Sequence, residues 1–267
     1  PWNGQARRRE PGAQDCLPTR RSSRQPTVFS PEPQIPTSRR TTTMSTENPL
    51  RDRTIGEIAA TLPGATAVFR KFKLDFCCGG DAILAEAVRK RGVDIAAVEE
   101  ALVALDPSKS IPAPEATGAL IDHIVSRYQE AHRRELPELI RLARKVEAVH
   151  AGHPEVPRGL ADTIQAIQGE LEEHMQTEET ALFPSMRQQD DAGSTRPITQ
   201  MRHDHDRHGE HLRRLEAIAN SFVLPDGACR SWEALYVGTA KLVDDVMEHI
   251  HLENNVLFPR FEDHEAA

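Results

Sequence analysis

The sequence has no long apolar run and few cysteines. No apolar stretch approaches the roughly 18 residues that a membrane-spanning helix needs, and the polar, proline-rich N-terminus lacks the apolar core of a signal peptide. Four cysteines in 267 residues, two of them adjacent, do not make a disulfide framework. We therefore expect a protein of the reducing cytoplasm that does not cross a membrane.

Lysine is absent from the first 43 residues, which carry eight Arg and three acidic side chains. The whole chain has 33 basic and 41 acidic side chains, so residues 44–267 carry 25 basic against 38 acidic ones, a net charge of −13. A body this acidic repels nucleic acid and anionic membranes, which are therefore not expected as partners. Its acidity suits a protein that handles cations, although a solvated acidic surface is the commoner reason for such a charge.

Residues 1–43 also lack apolar periodicity. They contain seven Pro among scattered Arg, Ser and Thr, and such a segment cannot bury enough surface to offset its conformational entropy. We expect a disordered tail here. Because Met44 precedes the first well-patterned sequence, the hypothesis is that the natural chain starts there and that the tail is upstream translation or added expression sequence.

Residues 44–106 predict a small helical domain. A capping box at Thr54–Glu57 starts its first helix. Further on, Asp75-Phe-Cys-Cys-Gly-Gly80 predicts a turn that opens a helix, with Asp81 placed to cap that helix. A unit this short buries only a small apolar core, so we expect it to pack against a neighbouring part of the chain. Residues 107–117 are a linker by their proline content.

Residues 118–267 predict a bundle of four long amphipathic helices. The connections between them are rich in Gly and Pro, and no β-rich run competes with the helical pattern. The expected helices cover residues 118–150, 158–189, 197–222 and 231–262. Long helices joined in this way are typical of an up-down-up-down four-helix bundle, so the expected fold class is all-α.

One motif occurs twice in this bundle. The pattern H-x-x-x-E-x-x-x-L-F-P begins at His174 and again at His249, 75 positions later. Residues four apart lie on one face of a helix, so each copy presents an imidazole beside a carboxylate, Glu178 in the first and Glu253 in the second. A single such pair is usually a surface pair. Two such pairs in the same sequence pattern favour a buried metal site, because burial without a metal would leave several polar groups without partners.

The period of the repeat points to further ligands. His205, on the third helix, lies 44 residues before His249, and the same step back from His174 reaches position 130. There is no histidine at that position. The nearest imidazole is His132, and its counterpart in the second half is His208.

Two carboxylates and three or four inward-facing imidazoles are the inventory of a dinuclear metal site. A carboxylate can bridge two metals while each imidazole binds one of them. Ligation by nitrogen and oxygen without thiolate excludes an iron–sulfur cluster and suits iron or manganese, and zinc stays open.

Cys77 and Cys78 are the second chemical signal. Two thiols at a Gly-Gly turn that opens a helix gain thiolate character from the helix amides, which suits redox exchange, metal delivery or a mixed disulfide. Two small buried residues at a tight turn are an equally good interpretation. Cys16 and Cys229 have no partner motif.

These motifs together resemble a known family. Residues 118–262 are similar to a hemerythrin-type domain, whose pattern is His, H-x-x-x-E, His, H-x-x-x-E. The front unit, with Phe69-Arg-Lys71 and Phe76-Cys-Cys-Gly-Gly80, is similar to the N-terminal domain of the iron–sulfur cluster repair di-iron proteins. Leu136-Pro-Glu-Leu139 and the run from Glu253 to Arg260 belong to the same likeness.

The resemblance implies a function. Such a protein is cytoplasmic, stress-induced and often a homodimer, and it holds two non-haem iron ions per chain in a bridged centre. It repairs iron–sulfur clusters damaged by nitric oxide or peroxide, with iron–sulfur proteins as its clients, by giving up iron.

The resemblance also implies residue roles. By this resemblance, the terminal metal ligands are His174, His205 and His249, and the bridging ligands are Glu178 and Glu253. The residues that the repair function needs are Cys77 and Cys78. The family's histidine after the tyrosine is replaced here by Gln129, which follows Tyr128. Three alternatives follow: five protein ligands with an open position, His132 as a substitute ligand, or weak ligation by the amide oxygen of Gln129.

Three functions stay open at this point. An iron-donating repair protein is the leading hypothesis, ahead of a turnover enzyme. The second is a di-iron oxidoreductase that reduces nitric oxide or peroxide at an open coordination position. The third is an oxygen or nitric oxide sensor in which Cys77 and Cys78 transmit the state of the centre to a partner.

Overall fold

The structure, a computed structural model, describes residues 49–106, 108, 112–189 and 191–262, except for the side chains of 191–195. The tail expected over 1–43 lies outside these residues. Within them the chain forms helices, turns and one isolated antiparallel bridge between Thr54 and Ile83. The all-α fold class is confirmed. No helix in this part of the chain is both long and apolar enough to span a membrane.

Four short helices form the front unit. They are α1 Ile55–Thr61, α2 Ala65–Lys71, α3 Leu84–Arg91 and α4 Ile95–Val103. Thr54 caps α1 as predicted, since its hydroxyl accepts a 3.2 Å hydrogen bond from the amide of Glu57. The prediction that Asp81 caps α3 was wrong. The residue before α3 is Ile83, which has no capping side chain and is held instead by its bridge to Thr54.

Seven α-helical segments build the bundle, and three π-helical turns link some of them. The α segments are α5 Thr117–Ile124, α6 Glu130–Val149, α7 Leu160–Thr177, α8 Phe183–Arg187, α9 Asp191–Ile218, α10 Arg230–His251 and α11 Pro259–Glu262. The π turns are Val125–Gln129, Glu178–Leu182 and Leu252–Leu257. They join α5 to α6, α7 to α8 and α10 to α11. The bundle therefore consists of four long helices: α5–α6, α7–α8, α9 and α10–α11. α6 packs on α7, α7 on α9, α9 on α10 and α10 on α6, as in the expected up-down-up-down bundle.

The third long helix begins earlier than expected. It was predicted to start at residue 197, but α9 starts at Asp191 and carries Pro197 inside. Proline removes one backbone hydrogen bond from a helix. The buried side chains of Ile198 and Met201, which follow directly, tie this segment to the bundle core and outweigh that loss.

The Leu-Phe-Pro of each repeated motif marks a π turn. The amide of Phe183 donates to the carbonyl of Glu178, five residues back, and the amide of Phe258 donates to that of Glu253 at 2.8 Å. The proline that follows has no amide hydrogen to donate, so the α-helical ladder is already interrupted there. The Leu and Phe of both copies are buried and belong to the apolar core.

The front unit shares its core with one end of the bundle. A single apolar cluster contains Phe69 and Phe76 of the front unit together with bundle residues such as Ile250. The expectation that so small a unit packs against a neighbouring part of the chain is therefore confirmed. A second apolar cluster, including Leu182 and Phe258, fills the other end of the bundle.

Asn255 fastens the front unit to the bundle. It lies in the last π turn, and its Nδ2 donates to the carbonyl of Phe76 at 3.0 Å. The backbones of Gly56 and Gly80 pass so close that a Cβ on either glycine would lie 2.4 Å from Oδ1 of Asn255. Glycine at both positions is what allows this side chain to enter.

Gly80→Ala should therefore destabilise the fold. The added methyl group forces Asn255 away from the Phe76 carbonyl, and overpacking of this kind costs about 1–3 kcal/mol. Gly169→Ala is the matched control, because no described atom would lie within 4 Å of its Cβ. It should be stabilising by about 0.5–1 kcal/mol, since alanine favours a helix interior over glycine. Urea unfolding measures both; equal effects of the two substitutions would contradict this account of the junction.

Candidate metal centre

A layer of polar side chains crosses the bundle between its two apolar clusters. Every long helix contributes to it, and all of its members are buried: Gln129 and His132, His174 and Glu178, Asp204, His205 and His208, and His249, Glu253 and Asn254. Burial of so many polar groups in one layer is costly unless each finds a partner. The layer is thus the place where the fold departs most from an apolar core.

The two predicted His/Glu pairs meet in this layer. Nε2 of His174 lies 3.2 Å from Oε1 of Glu178, and Nε2 of His249 lies 2.9 Å from Oε1 of Glu253. The predicted third histidine joins them, because Nε2 of His205 lies 3.0 Å from Oε2 of Glu253 and 3.1 Å from Nε2 of His174. The structure therefore brings together the five residues that the sequence analysis names as metal ligands besides His132.

Several of these close contacts are not hydrogen bonds. Both carboxylate oxygens of Glu253, Oε1 of Glu178 and both ring nitrogens of His249 are buried without a hydrogen-bond partner among the described residues. One ligand atom from each of His174, Glu178, His205 and Glu253 can be chosen so that all four lie within 4.8 Å of one another. Lone pairs that converge without bonding to each other are the arrangement that a metal ion satisfies. The nitrogen and oxygen donors suit iron, manganese or zinc.

The charges of the layer are strongly coupled. Burial and the charge of Glu253 raise the pKa of Glu178, whereas burial of Glu253 is outweighed by His249 and His205, which hold its pKa well below the usual range. Burial of His174 is likewise outweighed by Glu178 and Asp204, which raise its pKa to about 10. Without a metal, protons on the imidazoles supply the positive charge that two buried carboxylates require.

The first long helix supplies Gln129 and His132 to the layer. Nε2 of Gln129 donates to Oε2 of Glu178 at 2.8 Å, and its Oε1 has no hydrogen-bond partner in the described structure. His132 lies beside His249, with ring centroids 5.4 Å apart, and its Nε2 is likewise unpartnered in the part of the chain described. Burial and His249 lower the pKa of His132 to about 3, so its ring is neutral at pH 7.

Sequence reasoning missed the residues that orient the imidazoles. Oδ2 of Asp204 lies 3.8 Å from Nδ1 of His174, and the ring of Tyr128 stacks on that of His249 at 5.8 Å. Phe258 stacks on His205 at 5.9 Å. Such neighbours fix which ring nitrogen faces a metal. Phe258 belongs to the repeated motif itself, whereas the only sequence signal of Asp204 and Tyr128 is adjacency to His205 and Gln129, which does not distinguish them from surface positions.

Asn254 links His205 to the cysteine turn. Its Nδ2 donates to the carbonyl of Cys77 at 2.9 Å, so its Oδ1 must face the other way and accept from Nδ1 of His205 at 2.8 Å. A donor at Nδ1 leaves the lone pair of His205 on Nε2, the atom that faces the carboxylates. The front unit thereby sets the tautomer of one candidate ligand.

The cysteine turn differs from its expected form. Oδ1 of Asp75 accepts from the amides of Cys78 and Gly79 at 3.1 and 3.3 Å, and the next helix begins only at Leu84. The predicted thiolate stabilisation by helix amides was wrong, because no helix starts at this described turn. A hydrogen bond with Cys78, 3.6 Å between sulfurs, and burial raise the pKa of Cys77 well above its usual range. Cys77 is a thiol at neutral pH.

Cys78 points at the metal layer. Its Sγ donates to the backbone carbonyl of His205 at 3.3 Å. Asp75, Cys77 and Cys78 also form a second group whose ligand atoms lie within 4.8 Å of one another and could hold a metal ion. The turn therefore touches the candidate centre through its backbone and through a sulfur atom.

Histidines outside the layer contact other parts of the described structure. His251 is buried against Phe76, with ring centroids 5.6 Å apart, and contacts Asn255. Nε2 of His150 lies 3.1 Å from Sγ of Cys229, a neighbour that the sequence did not indicate. His264 lies outside the described residues.

Two family models match the chain. Residues 120–261 match the hemerythrin HHE cation binding domain, and residues 51–106 match a domain of unknown function (DUF542). The chain is 46% identical over 213 residues to the iron–sulfur cluster repair protein YtfE of Dickeya chrysanthemi, an alignment that covers 79% of this chain and 96% of the relative. The chain belongs to this family. Its members of the same name from Pectobacterium atrosepticum and Escherichia coli are 44% and 43% identical, with the same shares covered.

Family membership confirms the resemblance seen in the motifs. The cation binding domain contains every residue of the buried polar layer, and the cysteine turn lies in the second matched domain. Fold, geometry and family thus agree on a hemerythrin-type bundle with a buried His/Glu cluster that could hold a metal ion.

The metal-free chain should be most stable near pH 6.5. The folded pKa values of His132 and His208 are about 3 and about 2, below the unfolded value of about 6.5. Their stabilising contribution is therefore complete above that value and is lost as the pH falls. The folded pKa of His174 is about 10, so its contribution is complete below the unfolded value and is lost as the pH rises toward 10.

Urea unfolding of chelator-treated protein between about pH 4 and pH 10 measures this optimum. His174→Gln should remove most of the loss above neutrality. A stability that rises steadily with pH across the range would contradict the assigned protonation states.

Proposed function

We propose that this chain holds a dinuclear iron centre and repairs iron–sulfur clusters damaged by oxidative or nitrosative stress by donating iron to them. The observation that carries the proposal is the buried layer, where two carboxylates and at least three imidazoles converge with unsatisfied lone pairs among the described residues. The printed names of the relatives, iron–sulfur cluster repair proteins, supply the client class: proteins that carry such clusters.

The carboxylate oxygens support a site with two sides. Glu253 presents Oε2 to His205 and Oε1 to His249, while Glu178 presents Oε1 to His174 and Oε2 to Gln129. Each carboxylate thus offers one oxygen to each side, which is what a bridging ligand does. His174 and His205 are the terminal ligands of the first side. His249 is the terminal ligand of the second, together with Gln129, His132 or an open position.

Proton uptake supports release of the metal. Iron is the cargo here, and its departure leaves two buried carboxylates to be neutralised. His174 takes up a proton at that moment, because the neighbouring carboxylates raise its pKa to about 10. The emptied layer therefore keeps a low net charge, which favours a protein that fills and empties over one that holds its metal permanently.

The cysteine turn is the proposed exit for the iron. Cys78 already contacts the backbone of His205, and Asp75, Cys77 and Cys78 can offer a carboxylate oxygen and two sulfurs to an ion that leaves the layer. The three cysteines of the described structure are all free thiols, which suits the reducing cytoplasm that we propose as the location. A homodimer is compatible with this arrangement but is not needed for it.

Glu178→Gln should lower the iron content sharply. The amide keeps one oxygen and loses both the second oxygen and the negative charge, so it can no longer serve both sides of the centre, and we expect iron affinity to fall by at least about tenfold to a hundredfold. Glu179→Gln is the matched control, since its side chain is partly exposed and pairs with Arg133 at 2.7 Å. Iron per chain, measured by mass spectrometry after anaerobic loading, tests this. An iron content in Glu178→Gln equal to that of the control, or no iron in the wild type, would refute the centre.

Replacement of the turn thiols should separate binding from transfer. Cys77→Ser with Cys78→Ser leaves the polar layer untouched, so the iron content should stay at the wild-type level. Transfer of iron to a cluster-free client enzyme should fall by at least about tenfold, while Cys229→Ser, at the far end of α10, should have no effect. Full transfer by the double variant would exclude the turn as the exit.

An oxidoreductase is the second candidate function, because the second side of the centre has Gln129 at the position where the family has a histidine. An open position there would admit nitric oxide or peroxide. Steady consumption of nitric oxide with added reductant, at constant protein-bound iron, would favour this function over iron donation. A sensor would instead change its contacts with a partner without turnover or iron loss.

A further inference from the structure

His208 is the one imidazole of the buried layer that the proposed centre leaves without a role. It lies on α9 three residues after His205 and is 3% exposed. Neither of its ring nitrogens has a hydrogen-bond partner in the described part of the chain. Since buried imidazoles normally bond through at least one nitrogen, His208 is missing a partner that the protein atoms described do not supply.

The ring of His208 lies on the first side of the centre. Its centroid is 5.0 Å from that of His174, at an angle of 82°, and 6.3 Å from that of His205. The neighbouring carboxylate, Asp204, is already occupied by Gln200 and Arg207 at 3.0 and 2.6 Å. His132, the counterpart of His208 in the first half of the repeat, lies instead beside His249 on the second side.

We infer that His208 is an additional metal ligand on the side of His174 and His205. The inference rests on the proposed dinuclear centre and deepens it. That side then has three imidazoles and two bridging carboxylate oxygens, whereas the second side has His249, the same two carboxylates and either Gln129 or His132. An amide oxygen is a weaker ligand for ferrous iron than an imidazole. The ion on the second side is therefore held less tightly than the ion beside His208.

Anaerobic titration of the metal-free full chain with ferrous iron alone tests the assignment. The wild type should bind two ions in steps of different affinity. His208→Leu should weaken the tighter step by at least about tenfold and leave the weaker step unchanged. His211→Leu is the control, because it lies three residues further along α9 and pairs at the surface with Glu170 at 3.3 Å.

Stability gives a second measurement. Removal of an unpartnered buried imidazole should leave the metal-free His208→Leu variant as stable as the wild type or more so, whereas the iron-loaded variant should be less stable than the loaded wild type. A packing role for His208 would lower both stabilities together. His208→Gln, which keeps a polar side chain of similar length, provides the same comparison should the leucine variant not fold.

Each outcome decides between the proposals. Unchanged affinity in both steps, an effect confined to the weaker step, or an equal loss in both steps would overturn the role of His208 while leaving the dinuclear centre intact. Absence of iron binding by the wild type would refute the proposed centre itself, and the inference with it.

Discussion

The burial of two carboxylates in one layer of the bundle is the constraint on which the rest of the structure depends. Glu178 and Glu253 are fully buried and face each other, so neither can stay charged without positive charge nearby. The protein meets this need with the imidazoles of His174 and His249, whose pKa values the buried carboxylates raise. A metal ion meets it better, because it also satisfies the lone pairs that those imidazoles leave unpaired. The four helices are the frame that holds these side chains in one plane.

The π turns follow from the same constraint. In an α-helix, residues four apart drift around the axis by about 40° per step, so Leu182 would point about 80° away from His174. The π turn from Glu178 to Leu182 holds about one residue more per turn and reverses this drift. His174, Glu178 and Leu182 can then all face the core, as they do. The spacing of four, which occurs twice in each copy of the motif before Phe-Pro, thus accompanies a π turn in both copies.

This explains which parts of the centre could be predicted from the sequence. Each of the pairs His174/Glu178 and His249/Glu253 lies four residues apart on one helix, so local rules suffice for them. The role of His205 came from the family resemblance, because the same step back from His174 reaches no histidine. The partners of these residues depend on contacts between helices, which no local rule gives. The first helix of the front unit meets the last π turn through Asn255, and Asp75 rather than a helix organises the cysteine turn. The predicted thiolate failed for that reason: a side-chain oxygen had taken the amides that a helix would have offered.

The front unit is consequently a structural part of the centre as well as a neighbour of it. One amide side chain, Asn254, connects the carbonyl of Cys77 to the ring of His205, and its two ends are chemically distinct. Because an amide cannot turn without exchanging a donor for an acceptor, the position of the cysteine turn determines which nitrogen of His205 carries the proton.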